Sequence, residues 1–133
     1  VKIMFSKSVM LTSVFLFVVT ICGCASMANF VSYQGGRIYP PKEPDSRIEV
    51  YRKKEVPHKY AEIGEISYES WMGEEYVLKE IIQKAREVGA DAIIIVDKDI
   101  APHKDYKGDN VAGFKDYRIE AIAIKYEKST GKK

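Results

Sequence analysis

The stretch EEYVLKEIIQKAREVGADAIIIV, residues 74–96, decides the fold, because it joins an amphipathic helix directly to a buried strand. Apolar side chains recur at spacings of three and four over residues 74–88, and charged or amide side chains fill the other positions. This pattern predicts a helix with one apolar face. The apolar positions are Val77, Leu78, Ile81, Ile82, Ala85 and Val88.

The ends of this helix are also marked in the sequence. Glu74 and Glu75 lie in the first turn, where acidic side chains favour the helix dipole. Ser70 or Gly73 is the expected cap, and Gly89 supplies a left-handed stop. The apolar run that follows, residues 90–96, predicts a strand that is covered on both faces or lies centrally in a sheet.

Three further segments complete the predicted domain, residues 47–127. Alternating apolar residues predict a short strand at residues 48–52, a second at 60–68 and a last one at 117–127. Residues 97–116 are expected to form a long polar loop. The order β-β-α-β-β predicts a two-layer α+β fold, with one helix packed on a four-stranded sheet. The strands before and after the helix should be parallel if they share that sheet.

The N-terminus predicts export. Lys2 and Lys7 precede an uncharged apolar run, residues 8–24, as in a secretory signal peptide. Ile21-Cys22-Gly23-Cys24 resembles the lipobox of bacterial lipoproteins, which predicts cleavage between Gly23 and Cys24. A membrane-spanning anchor remains an alternative, since the run is at the short limit of about 17 residues. An ordinary cleaved signal is another.

Cys24 is the predicted lipidation site, because a thiolate is a nucleophile strong enough to accept a diacylglyceryl group. Two or three acyl chains would anchor the protein stably in a lipid bilayer. Ala25 and Ser26 follow, with no Asp after the lipidated Cys. By resemblance to Gram-negative lipoproteins, this favours the outer membrane, facing the periplasm.

Residues 24–46 are expected to form a flexible tether, since they contain Gly35, Gly36 and three prolines without a sustained period. Some of their side chains are more apolar than a linker requires, so these either dock on the domain or lie at the membrane surface. They are Phe30, Val31, Tyr33 and Tyr39. Residues 128–133 are expected to form a disordered tail.

Charge and cysteine content exclude several classes of function. Without Lys2 and Lys7 the mature chain has 19 basic and 19 acidic side chains, and the two signs alternate, which argues against nucleic-acid binding. Cys22 is expected to leave with the signal peptide. Residues 25–133 contain no cysteine, so the exported domain has no disulfide. A metal or redox role for the CxC pair fits poorly with the flanking apolar run.

Two short motifs resemble a known family. The chain is similar to small bacterial envelope domains in two motifs that flank the predicted helix. These motifs are YAEIGEI at residues 60–66 and VGADAII at residues 88–94. The pattern of those envelope domains runs IGEV, a helix rich in Ala and Lys, then GADAVV. The family includes the RcsF stress-sensor lipoprotein and the YbjQ-like domains, which carry a heavy-metal-binding label. The resemblance covers residues 47–126 and implies a βαβ scaffold. The RcsF domain is cross-linked by disulfides that this chain lacks. The resemblance therefore does not imply that this chain shares the signalling role or the partners of RcsF.

Candidate metal ligands are few. His58 and His103 lie in predicted loops and could share a metal with Asp97, Asp99 or Asp105, although the spacing matches no known ligand pattern. A calcium-binding EF-hand loop that begins at Asp97 is excluded. Such a loop requires a glycine at its sixth position and a glutamate at its twelfth, and this sequence has a proline and a glycine there. No cofactor is implied. Asp91 is interpreted as a structural residue of the turn after the helix.

Trp71 and Met72 stand just before the helix and are either a partner-binding anchor or a hydrophobic staple on the helix.

No nucleophile has an evident base, which argues against an enzyme. The sequence therefore predicts a membrane-anchored, non-enzymatic lipoprotein of the cell envelope that binds an envelope protein or component. A small-ligand or metal-binding domain, perhaps assembled as an oligomer, is the alternative.

Overall fold

The computed structural model describes residues 25–33, 35, 38–53 and 55–128. The predicted signal peptide, its cleavage site at Gly23 and the predicted lipidation site Cys24 lie outside the described residues. Residues 129–133 of the predicted tail also lie outside them.

The fold is α+β, with one helix and five strands in the described part of the chain. Helix α1 is Glu74–Glu87. The strands are β1 (Asn29–Ser32), β2 (Glu49–Arg52), β3 (Tyr60–Ser70), β4 (Ala92–Lys104) and β5 (Asn110–Tyr126). They form one mixed sheet in the order β1-β3-β5-β4-β2. The predicted fold class is therefore confirmed, but the sheet has five strands where four were predicted.

The additional strand comes from the predicted tether. β1 pairs antiparallel with β3, so that Phe30 lies opposite Ile66 and Ser32 opposite Gly64. The Phe30 ring packs against the hydrophobic core. The Lys42 N–H donates to the Arg86 carbonyl at 2.8 Å. Part of the predicted tether is therefore a strand of the domain and not a free linker. Of the apolar side chains that could dock on the domain, Phe30 and Tyr39 pack against the core, whereas Val31 and Tyr33 are exposed.

The strands before and after the helix are parallel, as predicted. β3 and β4 both pair antiparallel with β5, which lies between them. β2 pairs parallel with β4 through Glu49–Arg52. The sequence could not place β5 between the other two strands, because apolar alternation does not state which strands are neighbours.

The predicted long loop at residues 97–116 is wrong. Residues 97–104 continue β4, residues 110–116 begin β5, and only residues 105–109 connect them. The pairing continues from Asp97 opposite Glu120 to Lys104 opposite Asn110. Most side chains here are exposed, so no buried face produces the alternation by which a strand is recognised.

Both predicted helix ends are located near Gly73 and Gly89. Gly73 is the N-cap, with φ 112°, and no side chain caps the helix. After the helix, Gly89 has φ 77°. Its N–H donates to the Arg86 carbonyl at 3.1 Å, and the Ala90 N–H donates to the Ala85 carbonyl at 2.9 Å. These two bonds form a Schellman motif, which turns the chain directly into β4.

The core fills both faces of the sheet at its centre. On one face, Val77, Ile81 and Ala85 of α1 pack on a layer of buried side chains, which includes Ile63, Ile66, Ile93, Ile119 and Ala121. On the other face Ala92, Ile94 and Ile124 lie beneath Tyr51, Val56 and Tyr126. This confirms that the apolar run after the helix is covered on both faces.

Candidate functional site: an aromatic face on an unpaired arm

The hairpin formed by residues 97–116 extends beyond the rest of the sheet, and we call it the arm. β2 pairs with β4 only as far as Ile95. β3 pairs with β5 only from Tyr117 onward. Neither edge of the arm therefore has a neighbouring strand among the described residues. Residues 97–100 still pair with residues 117–120, which also pair with β3. The arm therefore projects beyond β3 from Ala101 onward, for roughly 13 Å along β4 at about 3.3 Å per residue.

A group of aromatic side chains lies at the base of the arm. The Trp71 ring meets the Phe114 ring edge-on, with centroids 5.8 Å apart. It also lies 6.3 Å from the His103 ring. His103 Nδ1 is 2.7 Å from Asp116 Oδ1, which holds the imidazole in place. We call Trp71, His103, Phe114 and Asp116 the aromatic face.

The aromatic face lies on the side of the sheet opposite helix α1. Tyr117 packs against the core on the helix side. Successive strand residues point to opposite faces, so Asp116 and Phe114 point away from the helix. Trp71 follows Ser70, the residue paired with Tyr117, and so lies on the same side as Asp116.

These aromatic rings are not buried. Trp71 is 53% exposed and Phe114 is 46% exposed, and Met72, the next residue after Trp71, is exposed as well. A staple would bury Trp71 against the helix, whereas its two ring contacts are to residues of the arm. Trp71 therefore packs on the arm while about half of its surface stays exposed. Phe114 was missed because the sequence analysis assigned it to a loop.

Acidic residues of the arm have local structural partners. Asp105 Oδ1 accepts the backbone N–H groups of Lys107 and Asp109, at 2.9 and 3.0 Å, and so organises the turn. Asp97 lies 3.8 Å from the Arg118 guanidinium. At the base of the arm Lys98 forms an ion pair with Glu74 of α1. These contacts fix the arm to the helix and shape its tip.

The two histidines do not form a shared metal site. The His58 ring packs on Tyr126, 4.9 Å between centroids, whereas His103 contacts Asp116. Ten residues of one strand separate these contacts, which is roughly 33 Å. Within the described ranges, no group of three or more His, Cys, Asp or Glu side chains could hold a metal ion. The pairing of His58 with His103 is therefore corrected: His58 lies beside the last residue of β5, whereas His103 lies in β4, beside Asp116.

A second polar cluster, missed by the sequence analysis, joins β2 to β5. The hydroxyls of Tyr51 and Tyr126 both donate to the Glu49 carboxylate and lie 2.9 Å from each other. Hydrogen bonds from Tyr126 and Tyr51 lower the pKa of Glu49. Burial and the bond to Glu49 raise the pKa of Tyr126 well above its ordinary value. A tyrosine held in its neutral form is a poor nucleophile or base, so the cluster suits a structural role.

Asp91 has a structural role, as predicted, but its partners lie in distant segments of the chain. Its carboxylate accepts the Tyr126 N–H at 2.8 Å, forms an ion pair with Lys42, and lies 3.8 Å from Lys125 Nζ. Burial opposes ionisation, but the hydrogen bonds from Lys42 and Tyr126 outweigh it and lower the pKa of Asp91. Asp91 thus ties the N-terminal segment to the end of β5.

No helix of the described residues has the length and apolar character needed to cross a membrane. Compared with known protein families, with curated proteins and with solved structures, the chain matches none of them. The resemblance to the RcsF and YbjQ-like domains therefore stays a prediction that rests on the two motifs.

Proposed function

We propose that the chain is a non-enzymatic envelope lipoprotein, anchored in a bilayer through acylated Cys24, whose aromatic face binds an envelope protein. The observation that carries the proposal is the half-exposed Trp71–Phe114 pair on an arm without neighbouring strands. If the source is Gram-negative, the anchor places the domain on the outer membrane, facing the periplasm.

Aromatic side chains of this kind suit a protein interface. A Phe or Trp buries about 150–250 Å² when it is covered, and interface hot spots are enriched in Trp. Trp71 and Phe114 already hold each other in one arrangement, so a partner would meet a preorganised surface. His103 and Asp116 supply a polar rim beside them.

The edge of β4 favours side-chain docking over strand addition. Asp97, Lys98 and Asp99 place charges along this edge, and Pro102 lacks an N–H donor. Register shifts occur between Ile95 and Asp97 and between Pro102 and Lys104. Charges, proline and bulges are the devices that discourage edge-to-edge pairing, so the aromatic face is the better contact surface.

Site-specific photo-crosslinking in cells tests the proposal. A photoreactive residue replaces Phe114 in the full chain, and the matched control replaces the exposed Ile38, which lies outside the arm. We expect one discrete adduct at position 114, none at position 38, and loss of the adduct when Trp71→Ala is added.

The partner identified in that adduct should then bind the purified chain. Trp71→Ala should weaken binding by about 2 kcal/mol, roughly thirtyfold, as expected for a hot spot. Tyr106→Ala, at an exposed residue of the arm tip outside the aromatic face, should leave binding unchanged. Equal adducts at positions 114 and 38, or no adduct at 114, would contradict the proposal.

A further inference from the structure

The first described residues after Cys24 are fastened to helix α1. The Ser26 N–H donates to Glu87 Oε1 at 2.6 Å, and the Met27 N–H donates to Glu80 Oε2 at 3.0 Å. Ser26 Oγ lies 2.7 Å from the Glu80 carbonyl oxygen, and Ser26 is only 8% exposed. We call this set of contacts the clamp.

The clamp shortens the distance between the lipid anchor and the domain. Consecutive Cα atoms are about 3.8 Å apart, so the Cα of Cys24 lies within about 8 Å of the Cα of Ser26. A free tether of the length predicted for residues 24–46 could instead extend for roughly 70 Å. With the clamp closed, acyl chains on Cys24 leave the protein directly beside α1.

The surface beside this point is an open groove of about 560 Å³ over the outer side of α1. From α1 it is lined by Lys79, Glu80, Gln83, Arg86 and Glu87, and from the N-terminal segment by residues that include Ala25, Pro41 and Pro44. Val77, Ile81 and Ala85 are the buried residues of α1, so the groove occupies the helix surface that the sheet does not cover. Because Ala25 is among its lining residues, the groove lies next to the point at which the chain continues toward Cys24.

The charges of the groove fit an anionic headgroup layer. Within the described residues, Lys79 has no ion-pair partner, and the Arg86 side chain donates to uncharged oxygens of Ser46 and Gln83. Of the two carboxylates in the lining, Glu87 forms an ion pair with Lys84 at 2.8 Å, and Glu80 accepts the Met27 N–H but keeps its charge. Lys79 and Arg86 therefore outnumber the remaining carboxylate, and the groove carries a small positive excess. Met27 is 71% exposed beside them and offers an apolar side chain to the interface.

We infer that the groove over α1 lies on the phospholipid headgroups of the bilayer that holds Cys24, so that the domain is held in one orientation. The inference rests on the proposed lipid anchor. The acyl chains supply the affinity, since each basic side chain near an anionic surface adds only about 1 kcal/mol. The clamp and the groove supply the orientation. The aromatic face lies on the opposite side of the sheet and therefore points away from the membrane, where a partner can reach it.

Fluorescence quenching in vesicles tests this orientation. Because residues 25–133 contain no cysteine and acylated Cys24 has no free thiol, Gln83→Cys in the groove and Tyr106→Cys at the arm tip each give a single label. The acylated chain is placed in phosphatidylcholine vesicles with about one quarter phosphatidylglycerol, which carry a nitroxide on the headgroup. We expect several-fold stronger quenching at position 83 than at position 106.

A clamp variant serves as the second arm of the experiment. Glu80→Ala with Glu87→Ala removes the carboxylate acceptors, and the difference in quenching between positions 83 and 106 should then fall several-fold. Glu75→Ala, an exposed carboxylate of the same helix outside the clamp, should preserve the difference.

The mass of the N-terminal peptide separates the two proposals. If Cys24 carries no acyl group, the lipoprotein proposal fails, and this inference fails with it. If Cys24 is acylated and labels at positions 83 and 106 are quenched equally, the inference alone is overturned. Equal quenching is also the result expected of a groove that binds a protein instead of a lipid surface.

Discussion

At the scale of single residues, Gly64 determines how the N-terminal segment joins the sheet. A Cβ at this position would lie 2.3 Å from the Phe30 ring and 2.5 Å from the Val31 carbonyl oxygen. The register of β3 shifts between Glu62 and Gly64. Glycine in a strand often marks a bulge or a close backbone approach, and both are found at Gly64. The sequence did not indicate which segment approaches.

We predict that Gly64→Ala displaces β1. One of the two close atoms belongs to the backbone and cannot move alone, so overpacking should lower the free energy of unfolding by about 1–3 kcal/mol. Hydrogen exchange should show faster exchange of the β1 amides than in the wild type. Ser67→Ala, on the same strand opposite Asn29, is the control. Unchanged stability together with unchanged β1 protection would contradict the packing described for Phe30.

Asp91 gives the domain a pH-dependent contribution to stability. Its lowered folded-state pKa means that the contribution is fully present above the unfolded pKa of about 3.9 and is lost as the pH falls through the folded value. Asp91→Asn should lower the free energy of unfolding by about 1–3 kcal/mol at pH 7. Urea denaturation from pH 7 to pH 2 should show the variant and wild type converging at the acid end. A constant difference across that range would rule out ionised Asp91 as the cause, and exposed Asp99→Asn is the control.

At the scale of elements, helix α1 and the arm show what the sequence reveals and what it leaves out. Val77, Ile81 and Ala85 face the core, so the spacing of these apolar residues in the sequence indicates the helix directly. Residues 97–104 pair along a whole strand, yet most of their side chains are exposed and no face is required to be apolar. β1 has only four residues and follows a similar half-exposed pattern. Elements without a buried face therefore escape pattern analysis.

The aromatic face should contribute little to folding. Trp71→Ala should lower the free energy of unfolding by no more than about 1.5 kcal/mol, since the side chain is half exposed and its edge-on contact is worth about 0.5–1.5 kcal/mol. Ile66→Ala, at a fully buried side chain of β3, should cost about 2–5 kcal/mol. Chemical denaturation of both variants checks this. A loss at Trp71 as large as that at Ile66 would show that Trp71 is a core residue and not a docking surface.

At the scale of the whole molecule, the sequence predicted the fold class and the boundaries of α1 closely, but not the site. His58 and His103 were considered together because both lie in predicted loops that could meet. In the structure each contacts a different part of β5, His58 at Tyr126 and His103 at Asp116, so the two rings lie far apart. The clamp was also hidden, because Ser26 and its partners Glu80 and Glu87 are more than 50 residues apart in the chain. Hydrogen bonds between residues so far apart in the chain do not produce a repeating pattern of residue types, so they cannot be predicted from one sequence.

These features give the domain two sides with different proposed roles. The clamp and the groove lie over α1, beside the residue proposed to carry the lipid. The aromatic face lies across the sheet from them. A protein fixed to a membrane on one side and open to a partner on the other has the arrangement expected of a sensor or scaffold.

The most direct test of the account is the mass of the N-terminal peptide of the chain isolated from cell membranes. We predict that this peptide begins at Cys24 and carries a diacylglyceryl group, and that Cys24→Ser abolishes lipid labelling and leaves a larger precursor. Cys22→Ser is the matched control, because Cys22 is expected to leave with the signal peptide and serine is a usual residue at that place in a lipobox. A mature chain that begins elsewhere, or labelling that survives Cys24→Ser, would contradict the lipid anchor on which the account depends.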